Sequence, residues 1–186
     1  GLDERAWRTV RGARVALVSQ DALAALDPLR RVGREVAEAM EVHSTFITTP
    51  ATSGAVFRAG RSRRDAVQTR VLELLDRVAV PEPAQRARQY PHELSGGLRQ
   101  RALIAAALSA EPRVLIADEP TTALDATVQR RVLELLGELK RDGLAILLVT
   151  HDLGAVAGIA DRVAVMRDGR IVEVGDTEQV LSAPQH

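Results

Sequence analysis

Apolar and polar positions along this chain follow two spacings, and the changes from one to the other mark its elements. Val67, Val71, Leu74, Leu75 and Val78 recur every three or four residues, the stripe of an amphipathic helix, and Pro81 and Pro83 end it. Val128, Val132, Leu135, Leu136 and Leu139 form a second such stripe. Val32, Val36, Ala39 and Met40 form a third, in a helix expected over 29–42. Between the stripes lie short runs that are wholly apolar, at Val15–Val18, 114–117 and Ala145–Val149, and these predict buried strands. Residues 102–107 are apolar on every side, as in a helix buried on several faces.

Short buried strands alternating with crossover helices predict an α/β fold, a parallel sheet covered on both sides. Residues 163–167 and 170–174 flank Asp168-Gly169, the pattern of a β-hairpin with a two-residue turn. Residues 3–11 read as a short polar helix, with Asp3 as its cap and Gly12 as its stop. A loop is expected over 19–28 and a short helix over 177–181. Residues 43–62 carry no period and are rich in Ser, Thr, Gly and Pro, an irregular surface segment.

Composition narrows the function classes. The 186 residues suffice for one domain with a sizeable core. Acidic and basic residues number 25 each, so no overall basic footprint for nucleic acid is indicated. The absence of cysteine excludes disulfides and thiolate metal sites within these residues. No apolar run approaches the roughly 20 residues that span a bilayer, so any membrane role is expected to run through another polypeptide. The first residue is Gly1, and the expectation is a fragment. Lys140 is the only lysine.

Three places carry candidate chemistry. Asp118 and Glu119 end the apolar run 114–117 and precede Pro120. In an open α/β sheet, ligands sit beyond the carboxyl ends of the strands. There Asp118 can hold a hydrated magnesium ion, and Glu119 can orient and polarise a water; a solvated acidic turn is the plain alternative. His151 follows the third apolar run and can donate to a phosphate, although a lone histidine there is more often an ordinary loop residue. Ser95, Gly96 and Gly97 cap a helix and leave backbone N–H groups uncovered, an arrangement that favours anions. The alternative is a capped helix that binds nothing.

Taken together, the residues resemble the ATPases of the ABC family. Leu94-Ser95-Gly96-Gly97-Leu98-Arg99-Gln100 resembles the signature motif, and the run 114–119 resembles the Walker B strand with its glutamate. Ala123-Leu124-Asp125 is similar to the D-loop, His151 to the switch histidine, and Gln20 to the Q-loop glutamine. All five occur in the family's order and span nearly the whole chain. Tyr90-Pro91-His92-Glu93, Leu26-Asp27-Pro28 and Gly169-Arg170-Ile171-Val172-Glu173 resemble the dipeptide, oligopeptide and nickel importer branch. Ser19-Gln20-Asp21-Ala22 departs from the usual Phe-Gln-Asp-Pro, and 43–62 matches no family feature.

The resemblance implies a P-loop NTPase-type parallel sheet core, here incomplete, with an inserted α-helical subdomain. Its expected bounds are 29–110 for the subdomain and 1–28 with 111–186 for the core. It implies ATP and Mg²⁺ as cofactors, with Asp118 and Gln20 toward the metal and Glu119 and His151 as catalytic residues. Ser95, Gly96, Gly97 and Gln100 would face ATP bound by a second ATPase subunit, with Asp125 across the dimer interface. Permease subunits and, indirectly, a solute-binding protein are the implied partners, and the cytoplasmic face of the bacterial inner membrane is the implied location. No Gly-x-x-x-x-Gly-Lys-Ser/Thr phosphate loop occurs in these residues. An N-terminally truncated, inactive piece of an active ATPase is expected. A missing first strand would leave part of the sheet unpaired. The alternative is a degenerate, non-hydrolysing subunit with a structural or regulatory role. DNA-repair and ribosome-associated relatives fit less well, because no long heptad segment and no second cassette is present.

Overall fold

In the computed structural model, residues 3–43, 63–122 and 124–185 are described. The element order is α1 (Glu4–Arg8), β1 (Val15–Val18), α2 (Ala22–Ala25), α3 (Val32–His43), α4 (Arg63–Arg77), α5 (Pro83–Arg86), α6 (Gly96–Leu108), β2 (Val114–Asp118), α7 (Ala126–Arg141), β3 (Ala145–Val149), α8 (Leu153–Ile159), β4 (Arg162–Arg167), β5 (Arg170–Asp176) and α9 (Thr177–Ser182). β1, β2 and β3 form a parallel sheet in that order, with Leu17 beside Ile116 and Ile116 beside Leu147. Parallel register places all three carboxyl ends on one edge, so Gln20, Glu119 and His151 leave the sheet on the same side.

The apolar stripes become buried contacts. Val71, Leu74, Leu75 and Val78 of the α4 region are at most 1% exposed, and Val132, Leu136 and Leu139 of α7 at most 2%. They join Val36, Met40, Ile104 and Leu115 in one core that runs from β1 to α8. α6 buries Ala102, Leu103, Ile104 and Ala105 in succession, as a helix enclosed on several sides must. The hairpin forms where expected, with Asp168 at φ +50° and Gly169 at φ +74°, a pair of left-handed residues that matches the twist of β4 and β5.

Four features depart from the sequence reading. The expected two-sided cover of the sheet is corrected: Leu17, Leu147 and Val149 remain about half exposed, and β3 alternates between exposed and half-buried positions. The buried strand positions, Ala16, Val18, Leu115 and Ala117, share one face of the sheet. The loop expected over 19–28 contains α2, because the Asp21 carboxylate accepts from the N–H groups of Leu23 and Ala24 and caps a single turn. α5 and α8 were not anticipated. α5 starts at Pro83, whose fixed φ suits a first helical turn, and α8 starts after Asp152, which caps Gly154 and Ala155. The third striped helix begins at Val32 rather than 29, where the backbone N–H groups of Val32 and Gly33 turn to Gln89 and Ala87. The reading of 43–62 falls, but for His43, outside the described residues.

Candidate functional site

Glu119 is the hub of the strand-end edge. Its backbone N–H donates to the Val149 carbonyl at 2.9 Å, which extends the β2–β3 ladder by one residue. Its φ is +44°, in the left-handed region that non-glycine residues enter at a cost of about 1–2 kcal/mol. Such strain is worth keeping where a side chain has to be aimed. The carboxylate is held by three donors. Gln20 Nε2, just beyond β1, donates to Oε2 at 3.1 Å; Thr122 Oγ1 donates to the same oxygen at 2.7 Å; His151 Nδ1, just beyond β3, lies 2.9 Å from Oε1. The pair attracts when Nδ1 carries the proton. Residues 99 and 32 positions away thus meet Glu119 at one carboxylate.

The Thr122 hydroxyl most, and the His151 contact next, hold the Glu119 carboxyl below the usual carboxylate range, against an opposing effect of desolvation. An ionised carboxylate that only accepts is the form that can align a water. Asp118, the last residue of β2, lies half-buried beside Val149 and forms no ion pair among the described residues. With its amide nitrogen committed to Glu119, Gln20 presents its carbonyl oxygen as a free acceptor. Asp118 and Gln20 together offer two hard oxygen donors. That set fits Mg²⁺, which keeps several waters and binds through one or two protein oxygens plus phosphates. No group of three or more His, Cys, Asp or Glu side chains with metal-holding geometry occurs among the described residues.

A second group of expected residues lies at two helix starts. Ser95 caps α6 through Leu98 N–H, and Asp125 caps α7 by accepting from Thr127 and Val128 N–H at 3.0 Å each. The two starts touch: a Cβ on Gly97 would come within 2.5 Å of Val128 Cγ1. Gly97 is therefore glycine for a reason internal to this chain, the close approach of α6 to α7. Gly96 faces open space, with nothing within 4 Å of a built Cβ. Ser95 and Gly96 are exposed and leave the α6 start open to an anion. Gln100 is set apart from them: it is 3% exposed, and its Nε2 has no hydrogen-bond partner. Its side chain is enclosed, whereas the α6 start before it is exposed. No hydrogen bond or ion pair links the α6 start to the Glu119 group among the described residues.

Lys140 takes no part in either group. Its Nζ donates to the Ile159 carbonyl at 2.8 Å and pairs with Asp161, tying the end of α7 to the end of α8. Thr122 was missed in the sequence. The signal lay in its spacing: the hydroxyl is three residues after Glu119 in a turn opened by Pro120, where a side chain folds back on its predecessor.

A parallel α/β sheet with a carboxylate and a histidine at adjoining strand ends, together with an exposed Ser-Gly-Gly helix start set apart from them, is the arrangement of an ATP-binding cassette. The ABC transporter family profile matches residues 2–122, and the chain belongs to that family. The chain is 49% identical over its whole length to the peptidoglycan transport ATP-binding protein YejF of Agrobacterium fabrum, covering 31% of that protein. It is 43% identical, again over its whole length, to the dipeptide transport ATP-binding protein DppD of Lactococcus lactis, covering 49% of it. It spans about half or less of the length of these relatives. The ATP-binding cassette MJ0796, solved as a dimer in a post-hydrolysis state bound to ADP and Pi, superposes with a TM-score of 0.75 at 28% identity. That match covers 95% of this chain and 68% of MJ0796.

Proposed function

We propose that the whole protein binds and hydrolyses Mg²⁺-ATP and drives import of peptides or a similar small solute through partner permease subunits. The observation that carries the reading is the convergence of Gln20, Thr122 and His151 on the Glu119 carboxylate at the carboxyl edge of three parallel strands. The names of the peptide-transport relatives and the ADP- and Pi-bound cassette support it.

In this reading Asp118 and the Gln20 carbonyl would hold the magnesium ion, and bound Mg²⁺-ATP would supply the phosphoryl group to be transferred. Glu119, kept ionised, aligns the attacking water and accepts its proton, while His151 donates toward the phosphoryl oxygens. Ser95 and the α6 N–H groups serve the nucleotide of a second cassette, and Asp125 lies at the interface between the two. Residues 29–110 form the helical subdomain that carries the signature stretch, and the Gln20 loop meets the membrane subunit, at the cytoplasmic face. No described helix is long and apolar enough to cross a membrane, which is consistent with a peripheral role. The phosphates of the chain's own site need a glycine-rich loop that these residues do not contain, so the 186 residues alone are expected to leave ATP intact.

The test is Glu119→Gln in the whole protein, assayed for Mg²⁺-ATP binding and for turnover. Binding that persists with turnover lost supports the assignment. Turnover at the parent rate contradicts it. The non-hydrolysing alternative is favoured only if the parent protein, with its permease partners, also fails to hydrolyse ATP.

A further inference from the structure

We propose that Thr122 is a positioning residue for ATP hydrolysis, the one donor that keeps the Glu119 carboxylate aimed while nucleotide is bound. The inference rests on the reading of Glu119 given above. Three side chains hold that carboxylate, and they differ in what else they are asked to do. Gln20 and His151 carry the groups that turn toward metal and phosphate, so each leaves, or shares, its bond to Glu119 when a nucleotide arrives. Thr122 has no such second duty.

Its geometry suits a permanent hold. The Thr122 hydroxyl reaches Glu119 Oε2 at 2.7 Å, the shortest of the three contacts, and the Thr122 N–H donates to the Glu119 carbonyl at 3.2 Å. Side chain and backbone therefore close the same four-residue turn, over Pro120 and Thr121. Gln20 and His151 come from other strand ends and move with them, whereas Thr122 moves with Glu119. The backbone of Glu119 is itself fixed, by its left-handed φ and by its bond to Val149. What is left to fix is the side-chain torsion, and a β-branched threonine three residues on, stiff at χ1, fixes it. Bound to one oxygen only, Thr122 leaves Oε1 to face a water once His151 has turned to the phosphate.

The experiment uses the whole protein with Thr122→Val, Thr122→Ala and Thr122→Ser. Thr122 is exposed, so none of the three disturbs the core. With the hydroxyl gone, kcat for ATP is expected to fall roughly tenfold to a hundredfold, the usual consequence of misplacing a reacting group by about an ångström. KM for ATP is expected to stay within about twofold, and Thr122→Ser to restore kcat. A nucleotide-free crystal structure of Thr122→Val should show the Glu119 carboxylate in a second rotamer. Parent kcat in both Thr122→Val and Thr122→Ala overturns the inference, as does a Thr122→Ser variant as slow as Thr122→Val. Glu119→Gln separates the two levels. If it turns over normally, the reading of Glu119 itself has failed; if it is inactive while Thr122→Val is unimpaired, only the role of Thr122 has.

Discussion

Gly97 and Val128 lie so close that a single methyl on Gly97 would stand 2.5 Å from Val128 Cγ1 and 3.2 Å from Cγ2. The contact locks the start of α6 to the first turn of α7, and with it the Ser95 cap to the Asp125 cap. Gly96, one residue earlier, meets nothing. The two glycines of one motif thus differ: Gly97 is pressed by a neighbour inside this chain, and Gly96 is not.

Gly97→Ala is therefore expected to destabilise by about 1–3 kcal/mol, the range for overpacking a filled site. Gly96→Ala should be neutral or slightly stabilising, since alanine is the better helix former. Thermal or urea unfolding of both variants checks this. Val128→Ala should rescue Gly97→Ala, and independent, additive effects of the two changes would show that the contact is not the cause.

Asp125 caps α7 with two backbone bonds, so Asp125→Ala should cost about 1 kcal/mol of stability. Asparagine caps as well as aspartate, so Asp125→Asn should keep that stability. ATPase assays on the whole protein then separate the cap from a role at the dimer interface. Activity lost in Asp125→Asn, with unchanged melting, points to the interface.

Glu35 gives the stability a pH dependence of known sign. Burial pushes its carboxyl above the ordinary value, against the opposing pull of Arg30 and of the Asp27 N–H; Glu38 and Asp27 add to the rise. The folded state then binds the proton more tightly than the unfolded state does. Glu35 therefore disfavours folding above its folded pKa, and that penalty is relieved as pH falls toward the ordinary carboxylate range. Unfolding free energies measured from pH 7 down to pH 4.5 should fall less steeply for the parent than for Glu35→Gln. Identical profiles would show that the Glu35 carboxyl is not shifted.

Ala79 sits at φ +56°, where its carbonyl accepts from Nη1 of the buried Arg101 at 2.6 Å. Ala79→Gly should stabilise by up to about 1 kcal/mol by relieving a left-handed backbone. Arg101→Ala should destabilise by more, because it opens a hole and frees that carbonyl. Denaturant titrations of both variants decide the matter, and a destabilised Ala79→Gly would mean that the strain is absent.

Much of the fold was legible because its signals are local. The stripe from Val67 to Val78 and the runs 114–117 and 145–149 each state their own period, and the hairpin is marked by Asp168-Gly169. Short capped turns such as α2 were hidden, since one Asp21 carboxylate decides between loop and helix. The uncovered sheet face was illegible for another reason: Leu17 and Leu147 look like core residues whether or not anything lies over them. At the site, Glu119 and His151 could be placed at strand ends, but that they touch depends on register across β2 and β3. Gln100 shows the limit of reading by motif. It belongs to the signature stretch, yet helical phase turns it inward, three residues past the Gly97 that packs on Val128. Thr122 went unremarked because a threonine in a turn carries no pattern of its own.

Glu119 and His151 are proposed to act as one unit in hydrolysis, Glu119 on the attacking water and His151 on the phosphoryl oxygens, and the coupling between them measures this most directly. The whole protein would carry Glu119→Gln, His151→Ala and the pair, with kcat for ATP measured in each. The double variant is expected to be no slower than the slower single one, because removing either partner already disables the unit. If the two losses multiply instead, Glu119 and His151 act independently, and the proposal that they form one catalytic unit is contradicted.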